Sequence, residues 1–459
     1  MDSLSSIAAQ VGGTLHGGDA SFGGVSTDTR TLVAGDVFFA LRGPRFDAAA
    51  FAAEAAERGA VGAVVERRMP VPLSQIEVKD SRKALADYAA RWRARIGTPV
   101  IGITGSNGKT TVKELCAAIL RVRWPRGVTD PVLATRGNLN NEIGVPLTLL
   151  RLRSDHSVAV VEMGASKPGD IRFLAGLVQP QIAVLTSIGR AHIETMGGLD
   201  GVARTKGELL DGLGRGATAV LPADSAYSAQ LVERAAPARV LTFGTAAEAD
   251  VRATHIEATV EAGQHECRFT LRAPELQQDI VLPLAGQHNI GNALAAAAAT
   301  LALGARAEDV ARGLARARNV EGRLRTVRLA CGATLYDDAY NANPDSVAAA
   351  IDAMQSLDGR TLLVLGDMGE LGEEAAALHA ATGRRARDSG ARHLYCTGEL
   401  SRATAEAFGS GAQWFAETDQ LCAAVRAELG PDCNVLVKAS RFMALDRVVQ
   451  QLTTAEGEA

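Results

Sequence analysis

The chain has 459 residues, 47% of them hydrophobic and 22% charged, with a formal net charge of −4. At about 100–200 residues per domain, that length predicts several domains rather than one core. The mildly negative balance argues against a nucleic-acid partner, which usually needs a basic face, but leaves room for small anionic ligands held by a local cluster of donors. No apolar run is long enough to cross a bilayer; the Ala-rich stretch Ala293–Ala302 is short and contains Thr300, so no membrane insertion is expected. Met1–Gln10 lacks a basic segment followed by an apolar core, and the six cysteines form no CxxC pair. A cytoplasmic location with buried thiols is the expectation.

Residues 1–96 mix short strand-like runs, Val37–Leu41 and Val61–Val65, with a helical stretch from Ala48 to Arg58 that stops at Gly59. Gly97-Thr98-Pro99 punctuates the chain, and from Val100 the pattern changes. Val100–Thr104 is a continuous apolar run, as in a buried parallel strand. The segment from Lys109 carries Val112, Leu115, Ile119 and Val122 at helical spacing. Val158–Val161, Ile182–Leu185 and Ala219–Leu221 read as further core strands, so residues 97–318 predict a doubly wound parallel sheet. Within 319–459, Leu362–Gly366, His393–Cys396 and Val435–Val437 are strand-like with helical segments between them, as in a small Rossmann-like domain. The fold class predicted is α/β in three domains: a small α/β N-terminal domain, a central P-loop ATPase sheet and a Rossmann-like C-terminal domain.

Gly105-Ser106-Asn107-Gly108-Lys109-Thr110-Thr111 joins the Val100–Thr104 strand to a helix. Glycines let the backbone approach a phosphate and aim N–H groups at it, and the helix N-terminus adds partial positive charge. Lys109 suits the terminal phosphates of ATP and the Thr110 hydroxyl suits Mg²⁺. The strict GxxxxGK[ST] pattern fails, because Ile103 stands where its first glycine would be. Glu162 and His192 each follow a core strand, at the carboxyl edge where such sheets bind ligands. Taken singly, Glu162 also reads as a solvated loop residue and His192 as a surface histidine. His288-Asn289-Ile290-Gly291-Asn292 also reads as a helix cap, and Asp337–Pro344 as a polar turn.

Gly105–Thr111, Glu162, Ala191-His192, Gly286–Asn292, Gly322-Arg323 and Asp338–Pro344 resemble, in order along nearly the whole chain, the motifs of the Mur ligases of peptidoglycan synthesis. Gly137–Pro146, Tyr340–Pro344 and Gly366–Gly372 are most similar to the branch that joins D-alanyl-D-alanine to UDP-N-acetylmuramoyl-tripeptide. The Asp-Asn-Pro-Arg signature of ligases that select diaminopimelate is absent. One departure is Lys438-Ala439-Ser440-Arg441, where relatives often carry glycine at the second position.

The resemblance implies a monomeric enzyme using ATP and Mg²⁺, with UDP-N-acetylmuramoyl-tripeptide and D-alanyl-D-alanine as substrates joined through an acyl phosphate. Ser26, Thr27 and Arg30 would hold the UDP end, and Asn138, Asn140 and Asn141 would line the muramyl peptide site. ATP would meet Gly105–Thr111, with Asn289 and Asn292 near the adenine, Asp338 on the ribose, and Arg323 and Tyr340 near the phosphates. Thr110, Glu162, His192 and a carbamylated Lys206 would hold metal; an exposed helix lysine is the alternative for Lys206. Lys109, Lys206 and Arg323 are the expected catalytic residues. Alternatives are a sibling ligase that adds the third stem residue, a folylpolyglutamate synthase and a non-catalytic nucleotide switch. The acceptor used and the ratio of ADP to new peptide bond separate these.

Overall fold

The computed structural model describes residues 2–43, 46–125, 127, 129–261, 264–274 and 276–454. By internal contacts the chain divides into two units, residues 1–102, 124–164 and 170–181 in one, and 103–123, 165–169 and 182–459 in the other.

In the first unit a five-stranded sheet runs in the order Thr14–His16, Gln75–Glu77, Gly62–Val65, Val37–Phe39, Val25–Ser26. Its first pair is antiparallel and the rest parallel. Val37–Phe39 and Gly62–Val65 are buried on both faces, which is why each reads as an unbroken apolar run. The helix expected over Ala48–Arg58 starts as a 3-10 turn, Ala48–Phe51, because the Asp47 carboxylate accepts from the Ala49 N–H; the α-helix proper is Ala52–Glu57. It stops where expected, with Gly59 at φ +86°. The same unit holds the parallel pair Val132–Ala134 and Val158–Glu162.

The Val100–Thr104 strand carries the chain into the second unit, where the Lys109–Arg123 helix buries Val112, Leu115 and Ile119. Ile182–Leu185, Thr218–Pro222, Arg239–Gly244 and Val251–Glu261 lie side by side in parallel. Gln264–Ala273 and Leu276–Leu282 then extend them antiparallel. A six-stranded sheet follows in the order Arg325–Arg328, Thr334–Asp337, Cys433–Lys438, Arg360–Leu365, His393–Thr397, Ala412–Phe415, with only its first pair antiparallel. Leu335, Leu362, Val364, Val435 and Val437 form its core. Mixed α/β architecture with parallel-rich sheets is therefore what the periodicity predicted. The antiparallel extension was not anticipated, because its strands alternate polar and apolar residues and offer no continuous run.

Among the described residues no helix is long and apolar enough to cross a membrane. All six cysteines are free thiols; five are buried and Cys331 is exposed.

Candidate active site

The phosphate loop is shaped by two glycines. Gly105 and Gly108 have φ +148° and +82°. A Cβ on Gly105 would lie 2.0 Å from Thr186 Oγ1, and one on Gly108 would lie 2.2 Å from Asn292 Oδ1. No side chain fits at either position, for reasons of space as well as conformation. Ile103, at the motif's missing glycine, is fully buried in the strand. The glycine stands one place earlier, where a Cβ on Gly102 would press on Met163 and Pro180.

The loop is laced to the segment after Ile182–Leu185. Ser106 N–H donates to Ser187 O at 2.9 Å, and Ser106 Oγ donates to Gly189 O at 2.9 Å. Thr186 Oγ1 donates to Asn107 O at 2.5 Å. Lys109 Nζ folds back over the loop, 2.7 Å from Gly105 O and 3.1 Å from Ser106 O. Thr110 and Thr111 open the helix behind it.

Asn107, Gly108 and Thr111 line a cavity of about 930 Å³ together with Asn289, Asn292, Arg323, Asp338 and Lys438. Such a volume lies within the range of small-molecule sites. Asn289 and Asn292 share the first turns of the His288–Ala302 helix, Asn292 Nδ2 donating to Asn289 Oδ1 at 2.8 Å. They are helix residues rather than a cap. Lys438 Nζ, deeply buried, donates to Asp338 Oδ2 at 2.6 Å and to Asn341 O at 2.9 Å, and Leu324 N–H donates to Asp338 Oδ1. Burial pulls the Lys438 pKa down, against the raising effect of Asp338. His288, also in the cavity wall, is pushed down by burial. The Arg323 guanidinium lies 4.1 Å from the centre of the Tyr340 ring.

Two further bridges reach the loop's neighbourhood from the Asn343–Asp345 segment. Asn343 Nδ2 donates to Asn107 Oδ1 at 2.8 Å. Arg190 meets Asp345 through its backbone N–H at 2.6 Å and its guanidinium at 3.0 Å. His192 adopts φ +58°, and its Nδ1 stands 2.5 Å from Glu370 Oε2. That contact holds the Glu370 carboxyl below its usual range. Lys206 is 1% exposed, so it is not a surface lysine; its Nζ donates to Ala165 O at 3.3 Å.

In the first unit, Glu162 ends its strand buried rather than solvated. Asn140 Nδ2 donates to Glu162 Oε1 at 2.7 Å, while Oε2 has no hydrogen-bond partner among the described residues. Asn141 Oδ1 accepts from the Ile143 and Gly144 N–H groups and so starts the Gly144–Leu150 helix. Asn138 is exposed beside them. Ser26 Oγ donates to Asp28 O at 2.9 Å, and Thr27 separates the two. Arg30 is exposed and pairs with Asp28 at 2.6 Å, which holds the Asp28 carboxyl low.

Residues 103–300 match the Mur ligase middle domain and residues 322–441 the Mur ligase, glutamate ligase domain. UDP-N-acetylmuramoyl-tripeptide–D-alanyl-D-alanine ligase of Escherichia coli (strain K12) is 39% identical over 452 residues, covering 98% of each chain. The chain belongs to the Mur ligase family. The crystal structure of MurF from Acinetobacter baumannii superposes with a TM-score of 0.89 at 33% identity, covering 97% of both chains. MurF ligase from Thermotoga maritima in complex with ADP matches with a TM-score of 0.83 at 27% identity, covering 95% of this chain and 98% of that one.

As a Mur ligase the chain is expected to use a divalent cation, and part of its donor chemistry suits one. A buried carboxylate oxygen without a donor, as at Glu162, is what a hard cation takes. Unmodified Lys206 offers only donors, so it could take part only as an anionic derivative. Among the described residues no three His, Cys, Asp or Glu side chains converge as an ion site. Alanine at 439 in this Mur ligase costs no backbone strain: among the described residues it is not one of those with positive φ, and its Cβ packs over Gly366. The motifs do not mark Arg190, Asp345, Glu370 or the Lys438 ammonium as site residues. Their partners lie far away in sequence, so no local spacing marks them.

Proposed function

We propose that this Mur ligase joins D-alanyl-D-alanine to UDP-N-acetylmuramoyl-tripeptide in the cytoplasm, converting ATP to ADP and phosphate and yielding a peptidoglycan precursor. The observation that carries the reading is the phosphate loop opening on the cavity that Asn289, Asn292, Arg323 and Asp338 also line. In this reading residues 1–96 bind the UDP end through Ser26, Thr27 and Arg30. Residues 97–318 bind ATP, with Asn138, Asn140 and Asn141 on the muramyl peptide. Residues 319–459 receive the dipeptide, and the enzyme acts as a monomer.

The terminal carboxylate of the tripeptide attacks the γ-phosphorus of ATP; the new O–P bond forms as the bridging oxygen leaves with ADP. The dipeptide amine then attacks the acyl carbon, phosphate leaves and the nitrogen loses a proton. Bringing the carboxylate within about 4 Å of a phosphate charge costs about 4 kcal/mol at an effective dielectric near 20. Lys109 offsets this by exchanging the Gly105 and Ser106 carbonyls for the β- and γ-phosphates, and Arg323 adds a second cation. The Gly105–Thr111 amides cradle the phosphates, the Asn289 and Asn292 amides meet the adenine, Asp338 accepts from the ribose hydroxyls, and Tyr340 steadies Arg323. Mg²⁺, held by Thr110, Glu162, His192 and Lys206 once carbamylated, would supply positive charge against the transferred phosphoryl group. The test is ADP release with ATP and UDP-N-acetylmuramoyl-tripeptide, with and without D-alanyl-D-alanine. Peptide formation that requires the dipeptide supports the reading, and preference for a single amino acid as acceptor refutes it.

A further inference from the structure

The Asp367–Gly372 loop is anchored residue by residue. The Asp367 carboxylate accepts from the Ser401 N–H at 2.8 Å and the Ser401 hydroxyl at 2.6 Å. Met368 N–H donates to His379 Nε2 at 2.9 Å, while His379 Nδ1 faces Ala375 O at 2.7 Å. Those two contacts require a neutral imidazole with its proton on Nδ1. Gly369 N–H donates to Ser440 Oγ at 2.9 Å.

These anchors thrust Glu370 outward at φ +61°, and what it meets is His192 at φ +58°. The contact is double: Glu370 Oε2 lies 2.5 Å from His192 Nδ1, and Glu370 O accepts from the Glu194 N–H at 3.2 Å. Six non-glycine residues among those described have positive φ, and these two touch each other. A side chain resists that conformation, so two such residues facing one another persist only where the surroundings impose it. From His192 the route to the phosphate loop is short, since Ala191 N–H donates to Gly189 O and Gly189 is bonded to Ser106. A chain of direct contacts thus joins the Asp367–Gly372 loop to the phosphate loop.

We infer that Glu370 is a positioning residue that couples the two loops through His192, so that the acyl phosphate is kept for the dipeptide amine rather than for water. The inference rests on the proposed ligase reaction. Attack by the amine gives an amide and phosphate; attack by water gives back the carboxylate and phosphate, with ATP consumed and no peptide formed. Breaking the Glu370–His192 contact shifts that partition toward water.

The experiment measures ADP and peptide product together, at saturating ATP and UDP-N-acetylmuramoyl-tripeptide, while D-alanyl-D-alanine is titrated. Wild type gives one ADP per peptide. Glu370→Ala raises KM for D-alanyl-D-alanine by about 10–100-fold, the usual scale for losing an orienting carboxylate, and raises the ADP-to-peptide ratio well above one, while KM for ATP holds. Glu370→Asp withdraws the carboxylate by one methylene and uncouples in the same direction, which serves if the alanine variant does not fold. Glu370→Gln keeps the side-chain length and an oxygen facing His192 Nδ1, and restores most of the coupling. A wild type that makes no peptide refutes the ligase reading and the inference with it. A wild type that ligates beside Glu370→Ala and Glu370→Asp variants that keep one ADP per peptide and an unchanged dipeptide KM refutes the coupling alone.

Discussion

Replacing Lys438 with methionine leaves the largely buried Asp338 carboxylate with, among the described residues, the Leu324 N–H as its remaining donor. Burial drives the Lys438 pKa down even with Asp338 beside it, so the ion pair as a unit adds little net stability. Removing one partner is a different matter. A buried pair broken on one side costs about 3–5 kcal/mol, because the other charge stays desolvated. That is a large part of a total stability that is typically about 5–15 kcal/mol. Lys438→Met should therefore lose about 3 kcal/mol or more in urea unfolding followed by circular dichroism. Lys438→Met combined with Asp338→Asn removes both charges and should regain at least half of that loss. The two side chains are 100 positions apart in sequence, and the cycle measures their coupling directly. A single mutant that loses less than about 1 kcal/mol, or a double mutant no better than the single, refutes the account of Asp338 as a charge that needs Lys438.

Lys109→Ala should abolish tripeptide-dependent ADP release while the far-ultraviolet spectrum stays that of the folded chain; near-normal turnover contradicts the role given to the ammonium. Gly108→Ala places a Cβ against Asn292 Oδ1 at a positive φ, and should weaken ATP binding by at least about tenfold in calorimetry. Gly97→Ala, where a Cβ meets nothing within 4 Å, is the matched control and should bind ATP normally. Burial tends to raise the Asp2 carboxyl, but donors from Arg95 and Tyr88 bring it down to about 2. Because the folded value lies below the unfolded 3.8, this contribution is present above about pH 4 and is lost as pH falls toward 2. Asp2→Asn should cost about 1 kcal/mol near neutral pH, after discounting for partial exposure, and almost nothing near pH 2. Equal losses at both pH values would show that the carboxylate's charge is not what matters.

The sequence alone determined whatever depends on neighbours along the chain. The Val100–Thr104 strand, the glycines at 105 and 108 and the amphipathic Lys109–Arg123 helix follow from apolar periodicity and backbone freedom, and these are local properties. The ordered motifs carried the family for the same reason. Tertiary structure decided which charges are buried and with whom. Nothing around Lys206 says that it is buried, and nothing in Asp338–Pro344 says that Lys438 closes on it. The antiparallel extension after Val251–Glu261 stayed hidden because its strands are half polar. Nothing in the Gly366–Gly372 motif says that Glu370 is set against His192. Desolvation and ion pairing depend on distance in space, and segments this far apart in sequence have no defined distance until the chain has folded around them.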